Sequence, residues 1–195
     1  MISATARGES RLARPIQGAE ARERARAIAF TRLTADRLAS CYRLATVILG
    51  DPIEAEDATH DAAVRAWERW GSLRDPDRFD AWFGRILVNE CRDRLRRRRT
   101  RPPAAELTER YHAGRRLGDG TQAIAERQAL AQAIAELEPD HRIAIVLHYY
   151  LELSAEQIAE RTGARVGTVK SRLHYGLKAL RAAQDASART EGGRR

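Results

Sequence analysis

Cysteine, methionine and aromatic residues are scarce in this sequence: two Cys, one Met, three Phe, three Trp and five Tyr among 195 residues. The cysteines, Cys41 and Cys91, have no CxxC partner and no His-rich neighbourhood. That excludes a disulfide scaffold and argues against a metal site. Both fall in apolar helical patterns, as buried thiols in a reducing cytoplasm would. No run of about 18 or more apolar residues exists, so no segment is expected to insert in a membrane. A secretory leader is not expected either, because Arg7, Arg11 and Arg14 interrupt the first stretch. Acid is in deficit: 35 Lys and Arg face 27 Asp and Glu, a net charge of +8. Such an excess points to a polyanionic partner, with nucleic acid first and acidic membrane surface the rival.

Strand-type alternation is also missing, and helical periodicity fills the sequence in its place. Residues 1–22 are rich in Ala, Arg and Gly without a firm apolar period and read as a flexible tail. A first domain over 23–98 holds three helices. Ala25 to Leu49 is the first, stopped by Gly50-Asp51-Pro52. Ile53 to Trp70 is the second, with acids at Glu54, Glu56, Asp57 and Asp61 in its first half. They complement the helix dipole, and their density on a basic chain suggests a face kept for a protein partner. The third, Asp77 to Arg98, buries Phe79, Trp82, Phe83, Ile86 and Leu87 at helical spacing. Along another side run Arg85, Asn89, Arg92 and Arg96, and residues 92–101 contain seven arginines, which read as a nucleic-acid surface. Pro102-Pro103, Gly114, Gly118 and Gly120 break the pattern, so 99–120 is a flexible linker. A second domain occupies 121–182, and 183–195 reads as a fraying tail. The expected fold class is all-α: two small helical domains joined by the linker.

The second domain contains the most informative stretch, Ser154 to Arg181. Ser154 with Gln157 forms a capping box, Gly163 supplies a positive-φ turn, and Val166, Val169, Leu173, Leu177 and Leu180 make one apolar stripe. Ala159, Gly163 and Val169 suit the tight crossing of a helix-turn-helix. The opposite stripe carries Thr168, Ser171, Arg172 and Tyr175, flanked by Lys170, His174 and Lys178. Arg near the start of such a helix can read guanine bidentately in the major groove, while lysines contact phosphates.

At these residues the sequence resembles the extracytoplasmic-function sigma factors of bacterial RNA polymerase. Three stretches carry the likeness: AEDATHDAAVRAW from Ala55, FDAWFGRILVNECRDRLRRRR from Phe79, and the segment from Leu137 to Arg181. Gly84 departs from the pattern, standing where an aromatic residue is common. The resemblance implies a region 2-like bundle followed by a region 4-like helix-turn-helix domain. It places Asp57, His60 and Asp61 against core RNA polymerase. It places Arg85, Asn89, Arg92 and Arg96 on the −10 element, with a base flipped out and held. Arg165, Thr168, Lys170, Ser171, Arg172, His174, Tyr175 and Lys178 fall to the −35 element. The implied partners are core polymerase, promoter DNA and an anti-sigma factor, in the cytoplasm, with no bond chemistry and no cofactor. Trp82, on the buried stripe, is expected in the core. A stand-alone helix-turn-helix regulator is the alternative, but it leaves the acidic and arginine-rich helices without a purpose. A Mg²⁺ enzyme using Glu56, Asp57, His60 and Asp61 lacks a second acidic helix.

Overall fold

A computed structural model describes residues 13–100 and 121–192, with side chains placed over 20–100 and 126–186. Seven α-helices run in order: α1 Ala13–Leu49, α2 Pro52–Glu68, α3 Phe79–Thr100, α4 Thr121–Glu136, α5 Pro139–Tyr149, α6 Ala155–Thr162 and α7 Val166–Gly192. Short 3-10 turns at Trp70–Ser72 and Pro76–Arg78 join α2 to α3. No strand occurs among the described residues.

Two expectations about the ends are corrected. Residues 13–22 and 183–192, both read as tails, are helical. Ala, Arg, Glu and Gln are strong helix formers and need no apolar stripe to extend an existing helix. The tail residues 1–12 and 193–195 and the linker residues 101–120 lie outside the described residues.

The described residues form two compact units that divide between Arg37 and Leu38. In the first, Thr34 turns its hydroxyl back to donate to the Phe30 carbonyl at 2.8 Å. In the second unit, α1 buries Cys41, Leu44, Ala45, Ile48 and Leu49, one stripe at helical spacing. Asp51 caps α2, accepting from Ile53 N at 2.9 Å and Glu54 N at 3.2 Å, with Pro52 in the first turn. The buried face of α2 is Ala55, Ala58, Thr59, Ala62 and Ala66, small enough for α3 to lie close. From α3 come Phe79, Phe83, Ile86, Leu87, Cys91 and Leu95. Phe79 stacks on Phe83 at 5.4 Å, and Trp82, expected in the core, is half-buried at its edge against Phe79 and Trp70. Both cysteines are buried, and burial pushes the Cys91 thiol up to about 12, which disfavours its thiolate.

A second core joins Leu137, Ile145 and Leu180, with Ala133, Ile134, Leu173 and Leu177 packed around it from α4 and α7. Helix α5 is buried along most of its length, from Arg142 to Leu147. The helix groups on either side of residues 101–120 meet, since α3 packs against both α5 and α6.

Candidate nucleic-acid interface

The helix-turn-helix forms from its local signals. Ser154 Oγ accepts from Gln157 N at 3.3 Å, and Gln157 Oε1 accepts from Ser154 N at 2.8 Å, completing the capping box. Gly163 ends α6 in the left-handed region, at φ 70°. Ile158 and Val169 are fully buried in the angle between α6 and α7, with Ala159 nearly so.

That packing turns Arg165, Thr168, Lys170, Ser171, His174, Tyr175 and Lys178 outward, all exposed. Ser171 Oγ donates back to the Gly167 carbonyl at 3.1 Å. The Tyr175 ring, 57% exposed, meets His174 edge-on at 5.3 Å. Arg172 departs from the expected stripe. It is partly buried, and its Nη2 donates to Asp140 Oδ2 at 2.8 Å. Asp140 lies in the first turn of α5, which crosses α7 closely at Gly176.

The same carboxylate takes two arginines of α3. Arg92 Nε donates to Asp140 Oδ1 at 2.8 Å, and Arg96 Nη2 donates to Oδ2 at 3.2 Å. Arg92 also holds Asn89, whose Oδ1 accepts from Arg92 Nη1 at 2.6 Å, and its Nη2 reaches the Thr162 carbonyl at 3.5 Å. Arg85 lies over the turn, where a Cβ on Gly163 would come within 2.8 Å of its Nη2. All four residues assigned to the −10 element therefore share one side of α3, but that side faces α5 and α6. Around them Arg99 pairs with Glu138, and Arg78 with Glu160. The Arg99 guanidinium holds the Glu138 carboxyl below the usual carboxylate range. Charge complementarity explains the contact: a basic stripe has found the acids of the other helical group.

The arginine run is not one surface. Arg94 turns inward and donates to Asp61 Oδ2 at 2.5 Å. Arg98 donates to Glu54 Oε1 and to the Leu49 carbonyl, both at 2.9 Å, and so ties the ends of α1 and α2 to α3. Reading 92–101 wholly as a nucleic-acid surface is corrected on this point: helical spacing sends every fourth side chain back toward the bundle. Asp57 and His60 are exposed, but Asp61 is committed to Arg94. Glu90 is buried and pairs with Arg65, and desolvation pushes its pKa up while Arg65 opposes the shift. Among the described residues, no group of three or more His, Cys, Asp or Glu is placed to hold a metal ion.

Asp140, Glu138, Glu160 and Arg78 were invisible as interface residues in the sequence. An acid beside a proline at a helix start reads as a cap, and nothing local marks the arginines it meets.

An acidic-faced helical bundle, an arginine-striped helix and a helix-turn-helix together define a two-domain helical DNA-binding protein. Residues 33–101 match Sigma-70 region 2, and residues 127–180 match Sigma-70, region 4. The chain is 34% identical over 147 residues to the ECF RNA polymerase sigma factor SigL of Mycobacterium tuberculosis, covering 75% of this chain and 83% of SigL. It is 34% identical over 154 residues to SigW of Bacillus subtilis, covering 72% and 79%. In structure it is similar to CnrH, solved in complex with the cytosolic domain of CnrY (TM-score 0.56, 26% identity, 80% and 88% covered). It shares its fold with the sigma factor RpoE of Bartonella quintana, solved with the anti-sigma factor NepR (TM-score 0.57, 22% identity, 80% and 98% covered). The chain belongs to the extracytoplasmic-function sigma factors of RNA polymerase, which direct promoter recognition at the start of transcription.

Proposed function

We propose that α7 reads the −35 element in the major groove and that α3 holds the opened −10 strand. The observation that carries the first assignment is the exposed stripe on α7. Its start is small and polar (Gly167, Thr168, Ser171), so the backbone can approach base edges, and cations flank it. Arg172 is the base reader, because a guanidinium within about the first two turns of the helix reaches guanine O6 and N7. Arg165, Lys170, His174 and Lys178 set register on phosphates, and Tyr175 adds an apolar contact. On α3, Arg85, Arg92 and Arg96 hold the strand's phosphates, and Asn89 offers a donor and an acceptor to a flipped base. Asp57 and His60, with Asp61 at the edge, meet the polymerase in the cytoplasm, where polymerase works. An anti-sigma factor regulates the chain, a partner of the kind with which RpoE of Bartonella quintana, which shares this fold, was solved.

The test is a pair of variants in reconstituted holoenzyme, run on a panel of −35 point mutants over a range of salt. Arg172→Ala should lose about 1–3 kcal/mol of discrimination at one base pair. Lys178→Ala should weaken every promoter alike and reduce the salt slope by about one. Uniform weakening by Arg172→Ala would remove it from base reading.

A further inference from the structure

We infer that His141, in the first turn of α5, is a positioning residue for −35 recognition: its ring lies against Tyr175 and fixes where that tyrosine meets the groove. The inference rests on the assignment of Tyr175 to the −35 element made above. Tyr175 is the large apolar side chain of the exposed stripe on α7, and 57% of it is open to solvent. An apolar contact, such as one to a thymine methyl, distinguishes bases only where the ring is held in one place. Ordering a free ring at the moment of binding costs rotamer entropy, and a ring already held avoids that cost.

The neighbour on its own helix cannot hold it. His174 meets Tyr175 edge-on at 5.3 Å, but His174 is itself exposed. The anchor comes from α5. His141 is half-buried, and its ring is tilted by 30° from that of Tyr175 with centroids 6.3 Å apart, the geometry of an offset aromatic pair. The crossing of α5 and α7 brings the two rings together. Gly176 is buried there, and a Cβ on it would come 2.9 Å from Ile145 Cγ1 and 3.6 Å from His141 Cβ. The missing side chain lets α7 lie against the face of α5 that carries His141 and Ile145, one turn apart. Ile145 belongs to the core with Leu137 and Leu180, so the backbone beneath His141 is fixed by buried apolar packing. Tyr175 leaves α7 just before this crossing, which sets it beside the His141 ring. The residue before His141 meets the same face, since Asp140 Oδ2 accepts from Arg172 Nη2 at 2.8 Å. Arg172 and Tyr175 are neighbours three positions apart on α7. Consecutive residues of α5 therefore meet two adjacent side chains of the reading face. His141 stands at the rim of the core, so its ring serves the tyrosine more than it serves the fold.

The test is a double-mutant cycle in reconstituted holoenzyme, read on the panel of −35 point mutants, with urea unfolding of each full-length variant. Tyr175→Ala should lower discrimination at one base pair about five- to tenfold. An aromatic contact changes an equilibrium about two- to tenfold, so His141→Ala should lower discrimination by that factor at the same base pair. The double variant should lose no more than Tyr175→Ala alone, because His141 acts through the tyrosine. His141→Phe keeps a ring but has no group to offer a phosphate, and it should discriminate as the wild type does. The urea midpoint of His141→Ala should stay near that of the wild type. Should it fall, His141→Gln, which keeps bulk without a ring, takes its place in the cycle. Equal weakening of every promoter by His141→Ala, with no rescue by His141→Phe, makes His141 a phosphate contact and overturns the inference. Additive losses in the double variant overturn it too, as does unchanged discrimination in His141→Ala. Unchanged discrimination in Tyr175→Ala removes the tyrosine from −35 reading and the inference with it, a failure told apart because it arises with His141 intact.

Discussion

Charge reversal at Asp61 separates a docking surface from a structural ion pair. Asp61 sits on α2 beside the exposed Asp57 and His60, but its Oδ2 accepts from Arg94 at 2.5 Å. The Asp61 side chain is 49% exposed, so loss of the pair alone costs up to about 1 kcal/mol. Arg94 is only 15% exposed, and leaving its guanidinium without an acceptor adds about 1–3 kcal/mol. Lysine at 61 also places like charges together. At about 4 Å and an effective dielectric of about 20 the repulsion is about 4 kcal/mol, a ceiling that the new side chain relieves by swinging into water. A little is returned, since Asp61 is one of the charges that raise the Glu90 pKa. The sum for Asp61→Lys is about 2–3 kcal/mol, or about 5–10 °C in melting midpoint for a chain of this size. Asp61→Asn, which keeps an acceptor but drops the charge, should fall between it and wild type. Asp57→Lys has no such partner and should change stability by less than about 0.5 kcal/mol. Melting curves and a pull-down with core polymerase on the same samples decide the matter. Both lysine variants should bind less polymerase, and only Asp61→Lys should melt early. An unshifted midpoint for Asp61→Lys would refute the ion-pair reasoning and return Asp61 to the exposed docking face.

Two further expectations concern the cores. Gly176→Ala places a Cβ 2.9 Å from Ile145 Cγ1 and 3.6 Å from His141 Cβ, so overpacking of about 1–3 kcal/mol exceeds the helix-propensity gain of about 1 kcal/mol. Urea unfolding should show a net loss, and a gain would mean that α5 and α7 separate freely. Glu90 has its pKa raised in the folded state, chiefly by burial, so folding favours its neutral form. Its contribution to stability therefore falls as pH rises from the ordinary glutamate value through the raised one, and stays low above it. Glu90→Gln should remove that decline, and a wild-type minus variant difference that is flat across the window would contradict the shift.

Local chemistry determined most of the elements. The capping box at Ser154, the turn at Gly163 and the stripe from Val166 to Leu180 each depend on residues within a turn or two, so spacing alone placed α6 and the start of α7. The same holds for the Phe79–Leu87 face of α3 and for the break at Gly50-Asp51-Pro52. The ends were harder. Residues 13–22 and 183–192 are helical through propensity, in segments whose sequence carries no firm apolar period. The outward residues of α7 were also legible, because the inner stripe of an amphipathic helix defines the outer one.

What the sequence could not reveal was the destination of each charge. Arg92, Arg94, Arg96 and Arg98 differ little in their neighbours along the chain. Arg94 meets Asp61 and Arg98 meets Glu54, while Arg92 and Arg96 meet Asp140, 44 or more positions away. Arg172 read as a base contact and rests on the same aspartate. Backbone hydrogen bonds and apolar periodicity act over one to four residues and are written in order along the chain. Coulombic partners are chosen by proximity after the helices have packed, so the composition determined that this protein carries a basic surface and only the tertiary structure decided which arginines are spent on its own acids.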